Sequence, residues 1–254
     1  MRNSENFSLA YLKRLSFHKN IALNRETLFS LQKAHLLSIP FENLDIHYRK
    51  EIKLDLDAIF EKIISNHRGG FCYELNGLFY ELLKELGFEV KLISGRVHTK
   101  NGEFGQEYDH LAIIATIDQR QYLVDVGFGK FSLAPLEIKK QLLLDDHFGQ
   151  FLFQEMEDGY LSINMVNDGV LSPQYLFKTT KRDFYEFQDM CRYHQISIDS
   201  HFTKNRMISI LRKDGRITLT DQQLKITTEG KEEILIFDPQ EFEMKLQQYF
   251  HIKI

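Results

Sequence analysis

The chain of 254 residues has little cysteine, no tryptophan and no long run of apolar residues. Its two cysteines, Cys72 and Cys191, cannot build a disulfide framework, so we expect a protein of the reducing cytoplasm. No apolar stretch reaches the length of a secretory signal or of a membrane span, and we expect neither. The 21 Phe and 11 Tyr predict an aromatic-rich core and are compatible with an apolar pocket.

Charge and motif content exclude several other classes. A formal net charge of −4 argues against a nucleic-acid surface spread over the whole chain. The chain lacks a phosphate-binding loop and a dinucleotide-binding fingerprint. His67, His194, His201 and Cys191 could be imagined as zinc ligands, but their spacing fits no zinc pattern. We therefore predict no metal site and no nucleic-acid or membrane partner.

The most informative stretch is Arg-Gly-Gly-Phe-Cys-Tyr-Glu-Leu-Asn at residues 68–76. Two glycines allow a tight turn, and the apolar residues that follow recur with the period of a helix until Gly87. This spacing places Cys72 in the first turn of that helix, on its inward face. There, unpaired N–H groups and the positive end of the helix dipole favour a thiolate and could hold an oxyanion. Taken alone, Cys72 could equally be a small buried hydrophobe.

Two segments downstream supply partners for a reactive cysteine. His110 opens an apolar, strand-like run, and Asp125 closes the next one. The short connection at residues 118–121 predicts a hairpin, which would bring the two side chains together at one end. In a thiol triad the histidine takes the thiol proton, and the carboxylate orients the imidazole and stabilises its cation. We therefore predict a catalytic triad of Cys72, His110 and Asp125.

The rest of the pattern predicts an α+β fold. Residues 1–86 are typical of a helical bundle, whose first helix would turn Leu9, Leu12 and Leu15 inward. From residue 88 the period changes to two, and short strands separated by turns predict an antiparallel barrel. Besides the hairpin of His110 and Asp125, strands are expected at 88–97, 151–154, 160–165, 175–179, 207–211, 216–220 and 223–228. Further helices are expected at 55–64, 182–194 and 239–250, and Cys191 would lie in the core.

These features resemble the arylamine N-acetyltransferase family. The likeness rests on the motif at 68–76, on His110 before its apolar strand, and on Val-Asp-Val-Gly-Phe-Gly at 124–129. Residues 39–44, Ile-Pro-Phe-Glu-Asn-Leu, are similar to the family's N-terminal signature, and residues 193–203 resemble the segment that follows the barrel. In that segment Ile196 and Ile198 stand where the family has threonine and proline, so we expect this loop to run differently.

The resemblance implies an acetyl-CoA-dependent enzyme of xenobiotic metabolism with a ping-pong mechanism. Acetyl-CoA would acetylate Cys72, and the nitrogen of an arylamine, hydrazine or arylhydroxylamine would then attack the thioester. It also implies a cysteine-proteinase-like core in three units. These are a helical bundle at 1–86 with the nucleophile, a β-barrel at 87–181 with His110 and Asp125, and an interdomain helix with an α/β lid at 182–254. The implied substrate-binding residues are Phe41, Phe71, Val97, Gly127, Phe128 and Phe202. The implied partners are a small aromatic acceptor and coenzyme A, and the implied state is a monomer or weak homodimer.

Two other functions stay open at this stage. A thiol hydrolase or transglutaminase-like enzyme would use the same triad on an amide, and a CoA-binding protein would have little transfer activity. A stable acetyl adduct on Cys72 would favour the transferase over the hydrolase. Turnover of any arylamine would exclude the binding protein. The natural acceptor and the preferred acyl chain stay open.

Overall fold

The structure is a computed structural model that describes residues 4–254, with side chains from residue 7 onward. The α-helices are α1 (Ser4–Arg14), α2 (Arg25–Ser38), α3 (Leu44–His47), α4 (Leu56–Phe60), α5 (Cys72–Glu85), α6 (Gln188–Ile196) and α7 (Phe242–Phe250). The strands are β1 (Phe41–Glu42), β2 (Glu89–Val97), β3 (His110–Ile117), β4 (Arg120–Val124), β5 (Leu136–Glu137), β6 (Leu143–Asp146), β7 (Gly149–Glu155), β8 (Leu161–Asn167), β9 (Val170–Phe177), β10 (Met207–Arg212), β11 (Gly215–Thr220), β12 (Gln223–Thr228) and β13 (Lys231–Ile236). None of the helices in this described part is long and apolar enough to cross a membrane.

Helix α1 packs on helix α5 through a face that differs from the predicted one. Phe7, Tyr11 and Leu15 are buried, whereas Leu9 is 65% exposed. The prediction that Leu9 points inward is therefore wrong. The rings of Phe7 and Tyr11 contact each other at 5.9 Å between centroids, and two aromatic rings bury more apolar area than a leucine. These rings set the inward face of the helix.

The helix predicted at 55–64 changes type half-way. Helix α4 ends at Phe60, and the chain continues as a π-helical turn, Glu61–Ser65. Such single wide turns occur mostly inside α-helices, often near functional sites. This π-helical turn contains Lys62, whose ammonium group contacts Glu74 in the first turn of α5.

The segment predicted as one helix at 182–194 also has two parts. A 3-10 turn, Phe184–Phe187, leads into α6 (Gln188–Ile196). Cys191 lies on α6 and is 1% exposed, so its assignment to the core is confirmed. This helix joins the two β-sheets.

An eight-stranded antiparallel sheet forms the centre of the molecule, in the order β5-β4-β3-β2-β9-β8-β7-β6. A bridge between Lys140 and Phe153 draws the chain after β5 towards β7, so the sheet curls into a nearly closed barrel. The predicted antiparallel barrel is confirmed. Strands β5 and β6 escaped prediction because they are short and show no alternation of apolar and polar residues. The barrel interior is filled by buried side chains that include Ile93, Ile114, Phe151, Phe153, Tyr175 and Phe177.

A second antiparallel sheet, here called the lid sheet, has five strands in the order β1-β10-β11-β12-β13. Its back face packs against α7, and that interface buries Ile208, Ile217, Leu219, Leu224, Phe242 and Leu246. Edge strand β13 was not predicted, because every residue in it is exposed and its sequence carries no two-residue period. Strand β1 comes from the segment predicted as a helical bundle, yet it pairs with β10. The unit boundaries expected near residues 86 and 181 stay predictions.

Candidate active site

Helix α5 begins at Cys72, and the thiol is almost fully buried, with 3% of the residue exposed. The turn at Gly127 packs directly against it. A Cβ atom built on Gly127 would lie 2.8 Å from the Cys72 Cα atom and 2.7 Å from Nδ2 of Asn76. Only glycine therefore allows this turn to reach the start of the nucleophile helix.

His110 and Asp125 meet as the hairpin predicts. Strands β3 and β4 pair antiparallel, with Ile113 opposite Val124, so His110 and Asp125 lie at the same end of the pair. The distance between His110 Nε2 and Asp125 Oδ2 is 2.7 Å. Asp125 therefore engages Nε2, and the other ring nitrogen of His110, Nδ1, is left for proton transfer.

The carboxylate of Asp125 has four hydrogen-bond partners. Besides His110, it accepts from Asn76 Nδ2 at 2.9 Å, from the Gly127 N–H at 2.9 Å and from the Tyr175 hydroxyl at 3.0 Å. Burial acts to raise the pKa of Asp125, but His110, Asn76 and Gly127 outweigh it and lower the pKa below its ordinary value. The group is thus an ionised, oriented carboxylate inside the protein.

Asn76 and Tyr175 are site residues that the sequence reasoning missed. Asn76 also donates to the Leu111 carbonyl at 2.7 Å and accepts from the Val126 N–H at 2.9 Å, so it ties helix α5 to both catalytic strands. It lies four residues after Cys72, on the same helix face, and this spacing was an available signal. Tyr175 carried no such signal, because only the pairing of β9 with β2 brings it to Asp125.

The surroundings of Cys72 favour the protonated thiol. The prediction that the start of the helix alone would favour a thiolate is therefore not met. Burial raises the pKa of Cys72 well above its ordinary value, and the nearby Cys191, Asp109 and Asp125 act in the same direction. A backbone hydrogen bond from Leu111, the residue after His110, acts in the opposite direction. A thiolate at this position therefore needs a positive charge beside it, which the imidazolium of His110 can supply.

A buried ionic network lies under the loop that leads to Cys72. Arg68 binds Glu42 through two hydrogen bonds of 2.7 and 2.9 Å and also contacts Asp45 at 3.0 Å. Lys62 contacts Asp45 and Glu74, each at 2.8 Å. Glu74 in turn accepts from the Phe71 N–H at 3.1 Å, which closes the first turn of α5. The network fixes the backbone on both sides of the two glycines.

Three of the predicted substrate-binding residues form an aromatic wall on one side of Cys72. Phe71 is buried, and its ring centroid lies 5.8 Å from that of Phe202. Phe41 is half-buried and lies 6.2 Å from Phe202 between centroids. Ile196 and Ile198, at the departure from the family pattern, are 67% and 83% exposed. The structure thus gathers Phe41, Phe71 and Phe202 next to the nucleophile.

The other predicted residues, Val97, Gly127 and Phe128, lie around the pair of His110 and Asp125. The half-buried ring of Phe128 packs edge-on against His110 and at a tilt against Tyr175, each with a centroid distance of 5.0 Å. Val97 is opposite Tyr175 in the pairing of β2 with β9, so the two side chains share a face. Gly127 and Phe128 belong to one turn, which covers the catalytic pair.

The histidines considered as zinc ligands have other surroundings. His194 is buried, with Nε2 3.0 Å from Asp109 Oδ1 and Nδ1 3.1 Å from Ser200 Oγ. His67 and His201 are exposed. Within residues 4–254, no three or more His, Cys, Asp or Glu side chains are grouped so that they could hold a metal ion.

Comparison with known proteins assigns this geometry to a family. The family model for N-acetyltransferases matches residues 24–254. Human arylamine N-acetyltransferase 1 is 32% identical over 226 residues, which cover 81% of this chain and 78% of the human one. The chain belongs to the arylamine N-acetyltransferase family.

Two further members of the arylamine N-acetyltransferase family bear on fold and site. The Escherichia coli enzyme is 36% identical over 156 residues, which span 61% of this chain and 56% of that relative. A crystal structure of an arylamine N-acetyltransferase from Bacillus cereus matches all of both chains with a TM-score of 0.90 at 28% identity. That enzyme is described as having a Cys-His-Glu catalytic triad, whereas this chain has Asp125 beside its histidine.

Proposed function

We propose that the protein transfers an acetyl group from acetyl-CoA to the nitrogen of arylamines, hydrazines or arylhydroxylamines through an acetyl-Cys72 intermediate. The observation that carries this proposal is the contact of three elements. Cys72 starts a helix, the strand of His110 donates to its sulfur from Leu111, and Asp125 lies 2.7 Å from His110. Both cysteines are free, which supports the cytoplasm as the compartment.

The first half-reaction forms the acetyl-cysteine. His110 takes the proton of the Cys72 thiol, and the thiolate attacks the carbonyl carbon of the donor thioester. The tetrahedral oxyanion forms near the N–H groups at the start of α5. The carbon–sulfur bond to coenzyme A then breaks, and the departing sulfur takes the proton back from the imidazolium. One thioester replaces another, so this step is nearly balanced in energy.

The second half-reaction transfers the acetyl group to nitrogen. An arylamine is neutral near pH 7, so its lone pair can attack the acetyl-cysteine directly. His110 removes the proton from that nitrogen as the tetrahedral state forms and collapses. The Cys72 sulfur leaves and regains a proton, so the enzyme is ready for another cycle. Throughout, Asp125 keeps the imidazole oriented and stabilises its cation.

The aromatic side chains around Cys72 support an acceptor pocket. Phe128 covers His110, while Phe41, Phe71 and Phe202 form the aromatic wall next to Cys72. An aromatic amine held between aromatic rings gains both apolar burial and edge-to-face contacts. Val97 and Gly127 would complete the pocket at its two ends.

Intact-mass measurement after incubation with acetyl-CoA tests the function. We expect the wild type and the Cys191→Ala variant to gain one acetyl group, and the Cys72→Ala variant to gain none. Addition of aniline should remove the adduct and release acetanilide. Loss of the adduct to water in the absence of an amine would instead indicate a thiol hydrolase. An adduct on Cys191, or no adduct at all, would contradict the proposal.

A further inference from the structure

The front face of the lid sheet, opposite its contact with α7, is turned towards the active site. Phe41 is opposite Ser209, and Ser209 is opposite Thr218, so the three side chains lie in one row on the same face. Arg216 lies two residues before Thr218 on β11 and therefore shares that face. It reaches the catalytic turn, because its Nη2 donates to the Gly129 carbonyl at 3.2 Å.

Arg216 is a half-buried cation whose partners are neutral. Its Nη1 donates to Ser209 Oγ at 3.1 Å, and its other hydrogen bond goes to the carbonyl of Gly129. No carboxylate among the described side chains forms an ion pair with it, whereas Arg206, just before β10, pairs with Asp221 at 2.5 Å. Burial lowers the pKa of Arg216, but a guanidinium stays charged in a protein. The site therefore holds a positive charge that nothing in the described chain neutralises.

Two hydroxyl groups stand beside this cation. Ser209 Oγ and Thr218 Oγ1 are 2.8 Å apart, and Ser209 also touches Arg216. A guanidinium next to hydroxyl donors is the combination that binds phosphate oxygens in proteins. We call these three residues the Ser209–Thr218–Arg216 cluster.

The Ser209–Thr218–Arg216 cluster lies near Cys72, at the other end of the turn that packs against it. Gly129 follows Gly127, which packs against Cys72, by two residues, or at most about 7 Å of chain. Gly129 has a φ of +92°, and a Cβ built there would meet no atom within 4 Å, so its surroundings are open. Phe128, the residue before Gly129, packs its ring against His110. A ligand at the cluster would therefore sit beyond an acceptor ring that rests on Phe128.

We propose that the Ser209–Thr218–Arg216 cluster binds a phosphate group of coenzyme A, with Arg216 as the main anchor. The inference rests on the proposed function, since it assigns the charged end of the donor to residues of this chain. Acetyl-CoA carries its phosphates on a flexible arm that separates them from the reacting sulfur, and this arm can fold so that a phosphate reaches the cluster while the thioester lies at Cys72. The protein has a net charge of −4, so an anionic donor needs a local positive anchor.

Donors with and without phosphates test the assignment. The rate of Cys72 acetylation is measured with acetyl-CoA, with p-nitrophenyl acetate and with the acetyl thioester of N-acetylcysteamine. In Arg216→Gln we expect the half-saturating concentration of acetyl-CoA to rise about 10- to 100-fold, the loss typical of a charge-assisted hydrogen bond. The two phosphate-free donors should react as with the wild type. Arg216→Lys should recover part of the affinity, and Arg212→Gln, an exposed position on β10, should change nothing.

Three outcomes would overturn the inference. An equal loss with all three donors would give Arg216 a structural role, and melting temperatures of the Gln and Lys variants show whether folding is the cause. A weakened response to 4-aminobenzoate but not to aniline, with acetyl-CoA unaffected, would assign Arg216 to an acceptor carboxylate. Calorimetric titration with coenzyme A needs no turnover, and equal affinity in wild type and Arg216→Gln would also refute the assignment. A wild type that reacts with p-nitrophenyl acetate but not with acetyl-CoA would count against the proposed function itself.

Discussion

At the level of single residues, Cys72 and His110 become reactive only together. Burial and the carboxylates of Asp109 and Asp125 raise the pKa of the thiol, so its proton leaves only when a cation takes its place nearby. His110 can form that cation, because Asp125 lies 2.7 Å from its Nε2. The reactivity of the thiol therefore depends on the imidazole beside it. Substitutions around the pair should change reactivity without changing the fold.

Asp125→Asn tests this coupling. The amide suits the turn but no longer stabilises the imidazolium, so we expect alkylation of Cys72 to need a higher pH than in the wild type. Transfer should fall on the order of a thousandfold or more, by analogy with other triads. The measurement is the rate of Cys72 alkylation by iodoacetamide as a function of pH. Asp118→Asn, at the exposed hairpin turn, is the control. Identical profiles in folded wild type and Asp125→Asn would remove Asp125 from the mechanism.

Phe128→Ala separates the two half-reactions. The ring covers His110 from the side on which we place the acceptor, so its loss should change acceptor preference more than acetylation by acetyl-CoA. Stopped-flow acetylation of Cys72, measured apart from transfer to a panel of amines, checks this. Phe148→Ala, on the loop between β6 and β7, serves as a control for loss of a partly buried aromatic ring. Equal losses in both half-reactions would count against an acceptor role.

His35 should make stability depend on pH. It is fully buried, and burial, assisted by Arg14, lowers its pKa to about 3. In the unfolded chain this histidine becomes protonated below about pH 6.5, whereas in the folded chain it stays neutral until about pH 3. The free energy of unfolding therefore falls as the pH drops from about 6.5 towards 3, by up to about 1.4 kcal/mol per pH unit. Urea unfolding near neutral pH and at about pH 5 should show this fall. His35→Gln should flatten it, while His18→Gln, at an exposed position, should not. A wild-type slope that persists in His35→Gln would contradict the assignment.

At the level of secondary-structure elements, the sequence predicted the helices and strands that carry a regular apolar pattern. It missed features that depend on contacts between strands far apart in the chain. The apolar period located α5 and its thiol, and alternation located the hairpin of His110 and Asp125. Leu9 was placed on the wrong face because aromatic side chains outweighed the leucine pattern of α1. Tyr175 joined the site only through the pairing of β9 with β2. Strand β13 escaped because a fully exposed edge leaves no pattern in the sequence.

The side chain of Asn76 connects helix α5 to the strands of His110 and Asp125 through hydrogen bonds. Asn76→Ala would leave the Leu111 carbonyl, the Val126 N–H and one oxygen of Asp125 short of a buried partner. We expect a loss of about 2–4 kcal/mol in the free energy of unfolding, and slower alkylation of Cys72. Urea titration measures the first effect, with the exposed Asn66→Ala as the control. A change within about 0.5 kcal/mol, as for an ordinary surface site, would show that the link is dispensable.

At the level of the whole molecule, Asn43 fastens the lid sheet to the helical segment. Its Nδ2 donates to the carbonyls of Phe202 and Asn205, both at 2.9 Å, and its Oδ1 accepts from the Met207 N–H at 2.7 Å. Asn43→Ala should therefore loosen residues 202–212 before the rest of the fold. Hydrogen exchange should show faster exchange there, with the barrel unchanged. Asn167→Ala, at the exposed end of β8, is the control. Uniformly faster exchange would instead indicate global destabilisation.

The pairing of β1 with β10 has a consequence for synthesis of the chain. Asn43 and Met207, which bond at this junction, are 164 residues apart. A ribosome that adds about 5–20 residues per second needs about 10–30 s to cover that interval. Cys72, His110 and Asp125 have all been made by the middle of this interval. The bridge between Phe41 and Gly70, which shapes the nucleophile loop, has no lid strand beside it until β10 is made. A half-made chain should therefore carry the whole triad and remain unable to take an acetyl group.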